Sequence, residues 1–124
     1  MTPVFARGES GASAERKAED FLSGQGLVII ERNYRCRSGE IDLIMRDGET
    51  VVFVEVRFRK SLGFGTPAET VTPGKQKKII ATARYFLQMH RNYARSPCRF
   101  DVLAISGSSQ ENIDWIKDAF QPAA

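Results

Sequence analysis

Histidine is nearly missing from this 124-residue chain, which has His90 alone, and cysteine is limited to Cys36 and Cys98. That scarcity excludes a zinc site of the usual Cys/His composition. The two cysteines can pair only if folding brings them together. The chain also lacks a signal-peptide pattern and any apolar run of membrane length, so reduced thiols, a cytoplasmic location and no membrane partner are expected. There is little excess of either charge. Eighteen Lys and Arg against fifteen Asp and Glu leave a net charge of +3, and bulk charge argues only weakly for an acidic partner. No internal repeat or low-complexity tract is visible.

What is present is ordinary for a soluble globular protein, with 42% apolar and 27% charged residues. The length suits one domain with a real core. Residues 1–9 lack periodicity and read as a loose arm, 10–120 as the domain and 121–124 as a tail.

The most informative stretch is Gly39 to Arg57. Two apolar runs rich in β-branched residues flank Asp47-Gly48, the strongest short-range signal for a two-residue type I′ hairpin. That turn pairs Arg46 with Glu49 and sets Glu40 opposite Glu55. Directly opposed residues share a sheet face, as do i and i+2 along a strand. Glu40, Asp42, Glu55 and Arg57 are therefore expected on one face. The other, apolar face carries Ile41, Leu43, Met45, Val52, Val54, Val56 and Phe58. Two carboxylates about 5–6 Å apart repel by roughly 3 kcal/mol at an effective dielectric near 20. A cation, or a proton held on one of them, removes that cost. Carboxylate oxygens without nearby Cys or His suit magnesium or manganese.

Around the hairpin, the pattern predicts a helix from Ser10 to Ser23, ending at Gly24 and Gly26, with Ala14, Ala18, Phe21 and Leu22 as its apolar stripe. Glu15 falls on the stripe's edge. Spacing leaves it either a solvated boundary residue or a fourth carboxylate leaning towards the sheet. Leu27 to Arg32 reads as a short strand and Asn33 to Gly39 as a connector, whose Arg35, Arg37 and Tyr34 can hold phosphate and stack on a base, although a solvated loop looks the same. A long connector spans 59–72; Arg59, Lys60 and the glycine-flanked Phe64 make it either a binding loop or a plain surface loop.

Thr72-Pro73 marks a helix start. Its stripe is Ile79, Ile80, Ala83, Phe86, Leu87 and His90, with His90 most simply its end. Lys75, Lys77 and Lys78 oppose the helix dipole, at a few tenths to about 1 kcal/mol each. A bound phosphate would relieve that conflict. Lys75 and Gln76 extend the stripe backwards and should point along the packed face. Arg99 to Ile105 is a fourth strand, in which Asp101 is expected to pair with Arg99 or another cation. Gly107 to Glu111 turns into a peripheral fifth strand, Asn112 to Phe120. The order is α-β-β-β-α-β-β, an α/β (α+β) chain.

The stretches Ala14-Glu15, Asn33-Tyr34-Arg35, Gly39-Glu40-Ile41-Asp42-Leu43-Ile44, Phe53-Val54-Glu55-Val56-Arg57, Phe64-Gly65, Lys75 and Arg99-Phe100-Asp101 resemble the YraN-type family of small bacterial proteins over about residues 10–120. That family is similar to PD-(D/E)XK nucleases, especially Holliday junction resolvases of archaeal type. The resemblance implies a restriction-endonuclease-like core, αβββαβ with a mixed central sheet flanked by helices and a short fifth strand.

It also implies roles. Asp42 and Glu55 would bind magnesium or manganese with the Val56 carbonyl, Glu15 would approach the same ion, and Glu40 would reach it through water. Arg35, Arg59, Lys60, Phe64, Lys75, Gln76 and Lys78 would hold DNA, structured or branched DNA included. Resolvases act as dimers, which makes a homodimer a second partner to consider, though no clear dimer patch is legible. The motif's lysine is replaced by Arg57. Arginine keeps its proton and cannot serve as a general base, though it can clamp a phosphate; Lys75 or Lys60 is left to supply an ammonium. The chain thus reads as a metal-dependent endonuclease or as a nucleic-acid-binding domain that kept the fold. A third reading makes the four charged residues an ion-pair network on an exposed face.

Overall fold

The computed structural model describes residues 6–59, 71–106 and 112–122. In chain order come helix α1 (Ala6–Gly24), strands β1 (Val28–Cys36), β2 (Gly39–Asp47) and β3 (Thr50–Arg59), and helix α2 (Pro73–Met89). A 3-10 turn (Arg91–Tyr93) leads to β4 (Cys98–Ser106) and β5 (Ile113–Phe120). The five strands lie in sequence order in one sheet, antiparallel except for the parallel pair β3 and β4. A parallel pair needs a crossover, and α2 lies within that connection. This is the arrangement expected of a restriction-endonuclease-like core, with β5 at the edge.

Each helix covers one face. Ala14, Ala18 and Leu22, four residues apart on α1, pack against Leu43, Met45, Val52, Val54, Leu103 and Ile105. Small side chains there let the helix lie close to the sheet. On the other face Ile79, Ala83 and Phe86 of α2 meet Ile44, Val51, Phe53, Phe100 and Val102. Phe86 is fully buried, edge-on to Tyr34 at 5.2 Å. Truncating such a residue to alanine typically costs about 3–5 kcal/mol. The start of α2 is as expected: Thr72 Oγ1 accepts from the Lys75 N–H at 3.1 Å, with Pro73 in the first turn. His90 ends the stripe, its Nδ1 2.9 Å from the Phe86 carbonyl and its ring stacked on Phe86 at 4.1 Å.

Several expectations need correction. Helix α1 starts at Ala6, so 6–9 belong to it, not to a loose arm; alanines and charged helix formers outweigh Gly8 and Gly11. The polar stretch 33–36 belongs to β1, paired with β2 as far as Cys36 and Gly39. It reads as a connector because β1 is an edge strand, and exposed edges carry charge.

The hairpin turn is shifted. Asp47 pairs with Thr50, so Gly48-Glu49 is the loop, with φ +62 at Gly48 and no positive φ at Glu49. Glycine at the first loop position fits type II′ rather than I′. Asp47 stays in the strand, where Arg99 Nη1 holds it at 3.0 Å. The two-residue shift leaves the faces unchanged but moves the pairing: extended, this register sets Asp42, not Glu40, opposite Glu55.

Ile41 does not share the face of Leu43 and Met45; it packs in the cluster under α2. Its neighbour strand reverses at the same level. Arg32 reaches Glu19 of α1 while Tyr34 packs on Phe86 of α2, and between them Asn33 takes φ +50. Strict alternation fails at Asn33 and Asp42, and the rest of the site follows from that failure.

On β4, beside Val54, Asp101 is fully buried and accepts from Arg99 Nε at 3.1 Å, Trp115 Nε1 at 2.9 Å and the Asp118 N–H at 2.9 Å. The expected pairing with Arg99 is present and ties β2, β4 and β5 together. Removing the carboxylate leaves Arg99 with Asp47 alone and takes the acceptor from Arg99 Nε, Trp115 Nε1 and the Asp118 N–H. Asp101→Ala should therefore lose on the order of 3–5 kcal/mol in urea denaturation, and a loss below about 1 kcal/mol would show that the network is dispensable.

Candidate active site

The β2–β3 ladder ends at Leu43 and Val54. Beyond it the N–H of Val56 donates to Asp42 Oδ2 at 2.8 Å, a side chain taking the place of a ladder carbonyl. Asp42 thus projects into the gap between the strands rather than onto either face. There it feels Glu15 from α1 and Lys75 from α2 as well as Glu55 across the gap.

Glu55 follows Val51 and Phe53 on the α2 face and is 5% exposed. Burying an unpaired carboxylate is costly, and two cations meet this one. Lys75 Nζ lies 3.3 Å and Arg57 Nε 3.4 Å from the same atom, Glu55 Oε2. Lys75 reaches Glu55 from the first turn of α2, on the opposite side of the site from the strand that carries Arg57.

The acidic pair is electrostatically overloaded. Burial, then the charge of Glu55, pushes the Asp42 carboxyl up to about 7, with Glu15 adding to the rise; the Val56 N–H and Lys75 pull the other way. An all-oxygen donor set with surplus negative charge suits a hard divalent ion. Among the described residues no three acidic, His or Cys side chains converge closely enough to cage a metal by themselves. Any ion held here would complete its shell with backbone oxygen and water, as magnesium usually does.

Of the expected site residues, Asp42, Glu55, Arg57 and Lys75 come together, and Glu15 lies within electrostatic reach of them. Glu15 also lines a cavity of about 210 Å³ with Asn33 and Leu43 on the α1 side. Glu40 is not in the group; it pairs with Arg35 at 3.4 Å. Those two line a separate cleft of about 310 Å³ with Lys75 and Lys78. Gln76 turns inward, its Nε2 donating to the Val71 carbonyl at 2.9 Å. Lys60 and Phe64 lie outside the described residues, as does the side chain of Arg59. The four-residue network on an exposed face is therefore reduced to Glu55 and Arg57, and Glu55 is buried.

Sequence reasoning missed two features. Cys36 lines the cleft, since the strand containing it reads as a loop. Gly39 takes φ +152, and a Cβ there would meet Thr82 Oγ1 at 3.3 Å; its place just before Glu40 was the only hint. Cys36 and Cys98 are both free thiols.

A profile of the family described as "Uncharacterised protein family UPF0102" matches residues 14–105. A UPF0102 protein of Stutzerimonas stutzeri is 51% identical over 113 residues, covering 90% of this chain and 94% of the relative. One of Nitrosospira multiformis is 52% identical over 110 residues, with 89% and 91% covered. One of Nitrosomonas europaea is 51% identical over 117 residues, with 94% and 98% covered. No helix among the described residues is long and apolar enough to cross a membrane.

The raised Asp42 carboxyl fixes the sign of a pH effect. A group that binds its proton more tightly when folded stabilises the fold fully below its unfolded value and loses that contribution as pH rises through its folded value. For Asp42 the loss falls between the ordinary 3.8 and about 7. In chelator, urea unfolding should show wild type losing stability over that range relative to Asp42→Asn, by up to on the order of 4 kcal/mol. A difference that is flat, or that favours wild type at higher pH, would contradict the burial argument.

Proposed function

The chain belongs to the uncharacterised protein family UPF0102, the YraN-type family its motifs resemble, and we propose that it hydrolyses DNA phosphodiester bonds with a divalent metal ion. The observation that carries this reading is the pair of half-buried Asp42 and buried Glu55 at the parting of β2 and β3, with two cations on one oxygen of Glu55. A purely structural ion pair has no need of two acids in one gap, one of them pushed up to about 7.

Asp42 and Glu55 would hold magnesium or manganese, with the Val56 carbonyl as a third donor and Glu15 nearby. The bound ion would supply a water of lowered pKa and positive charge at the phosphate. The chain's own groups do the rest. Arg57 clamps a phosphate oxygen with a guanidinium that keeps its proton. Lys75 brings a compact ammonium to the same place, and Glu55 keeps both cations in position before substrate arrives. The Val56 N–H orients Asp42, so the acid's direction is set by backbone rather than by a flexible side chain.

The replacement of the motif lysine by Arg57 favours one other reading, a DNA-binding domain that no longer cuts. One experiment separates them. Incubated with manganese or magnesium and either linear or four-way DNA, the purified chain should cut. Asp42→Ala and Glu55→Ala should each reduce cutting by at least about a hundredfold. Lys75→Ala should slow cutting, and Lys75→Arg should restore part of the rate. Salt-sensitive DNA binding with no cutting across metals and substrates would leave the binding reading and remove the nuclease one.

A further inference from the structure

We propose that the cleft between the end of β1, the start of β2 and the first turns of α2 is a second phosphate subsite, holding the phosphodiester next to the one at Asp42 and Glu55. This rests on the nuclease reading and names the part of the substrate it engages: a nucleic-acid strand of at least two phosphates.

The cleft, about 310 Å³, is lined by Arg35, Lys75 and Lys78 against one carboxylate, Glu40. Arg35 and Glu40 pair at 3.4 Å with both side chains accessible, so the guanidinium is steered rather than buried. Lys75 and Lys78 are three residues apart and share a face of α2, where like charges repel. Both also sit in the helix's first turns, where the dipole opposes cations. Lys75 has Glu55 as a counter-charge; among the described residues Lys78 has no ion-pair partner. At Lys78 these two unfavourable terms have no counter-charge to offset them, and an anion entering the cleft would remove both.

The floor of the cleft packs closely on α2. A Cβ at Gly39 would press on Thr82 Oγ1 at 3.3 Å and lie in ordinary contact with Lys78 Cβ at 3.5 Å. Bare backbone there keeps the cleft open and brings Lys78 over it. A phosphodiester is favoured over a free anion because of Lys75. Its side chain lines the cleft while its ammonium stands 3.3 Å from Glu55, so the two sites share a wall one lysine long. A strand lying across that wall places consecutive phosphates in consecutive sites.

Cys36 lines the same cleft, and Cys98 lies by a different cavity at the start of β4. The full chain carrying Cys98→Ser therefore reports on the cleft through a single thiol. Alkylation of Cys36 by neutral iodoacetamide would be timed without metal in the presence of inorganic phosphate, thymidine monophosphate or a short oligothymidylate. Matched total phosphate in the three arms makes them comparable. The oligonucleotide should slow alkylation about tenfold at low salt and less as salt rises, with phosphate and mononucleotide far weaker. Lys78→Gln should abolish most of the protection and lower the salt slope of oligonucleotide binding by about 1.

Equal protection by inorganic phosphate would reduce the cleft to a plain anion site and overturn the proposal. So would protection indifferent to Lys78→Gln, or no protection at all. Protection without any metal-dependent cutting would keep the subsite and remove the nuclease reading. Cutting that ignores Lys78→Gln, with no protection, would do the reverse.

Discussion

One hydrogen bond organises this molecule's chemistry, that from the Val56 N–H to Asp42 Oδ2 at 2.8 Å. Antiparallel strands normally satisfy each other's backbone groups, and a buried N–H left without an acceptor is costly. Where β2 and β3 part, a carboxylate supplies the acceptor. The bond therefore does two things at once: it satisfies a strand that has lost its partner, and it points an acid into the gap. Asn33, in the left-handed region on β1, is the matching irregularity one strand away.

From that point charge sets the arrangement. Glu55 must face the α2 side because Val51 and Phe53 do, and it is buried because Phe53 and Phe86 close over the same face. A buried acid beside another acid is unstable unless cations or protons attend it. Arg57 and Lys75 serve Glu55, while Asp42 holds its proton until about pH 7. The site is poised rather than satisfied. Stability is given up in one corner of an otherwise closely packed sheet, and buried Asp101, one strand over beside Val54, shows an acid whose two oxygens are both met by donors.

Much of this was legible in the sequence, and the parts that were not share a cause. Helix α2 announced itself through Thr72-Pro73 and a clean 3.6-residue stripe, both local signals. Pairing β2 with β3 brought Asp42 and Glu55 together even though the loop was misplaced by one residue and the register by two; that shift preserves faces as far as Leu43, beyond which Asp42 enters the gap and not the expected shared face. The extent of β1 was hidden because an edge strand is polar. The turn moved because Arg99, 52 residues away, holds Asp47 in the strand, a contact no window around the hairpin contains. Glu40 left the acidic group for a similar reason: alternation stops at Asp42, and nothing in Gly39 to Leu43 signals that the strands will part.

The most direct measurement is thermal unfolding of wild type and Asp42→Asn during manganese titration at pH 5.5 and pH 8. If Asp42 and Glu55 share a cation, manganese competes with the Asp42 proton. Wild type should then be stabilised by several degrees at pH 8, less at pH 5.5, and the variant at neither; saturation at a hundred times Kd is worth about 2.7 kcal/mol. An equal shift in Asp42→Asn, or none in wild type at pH 8, would contradict the shared-ion account.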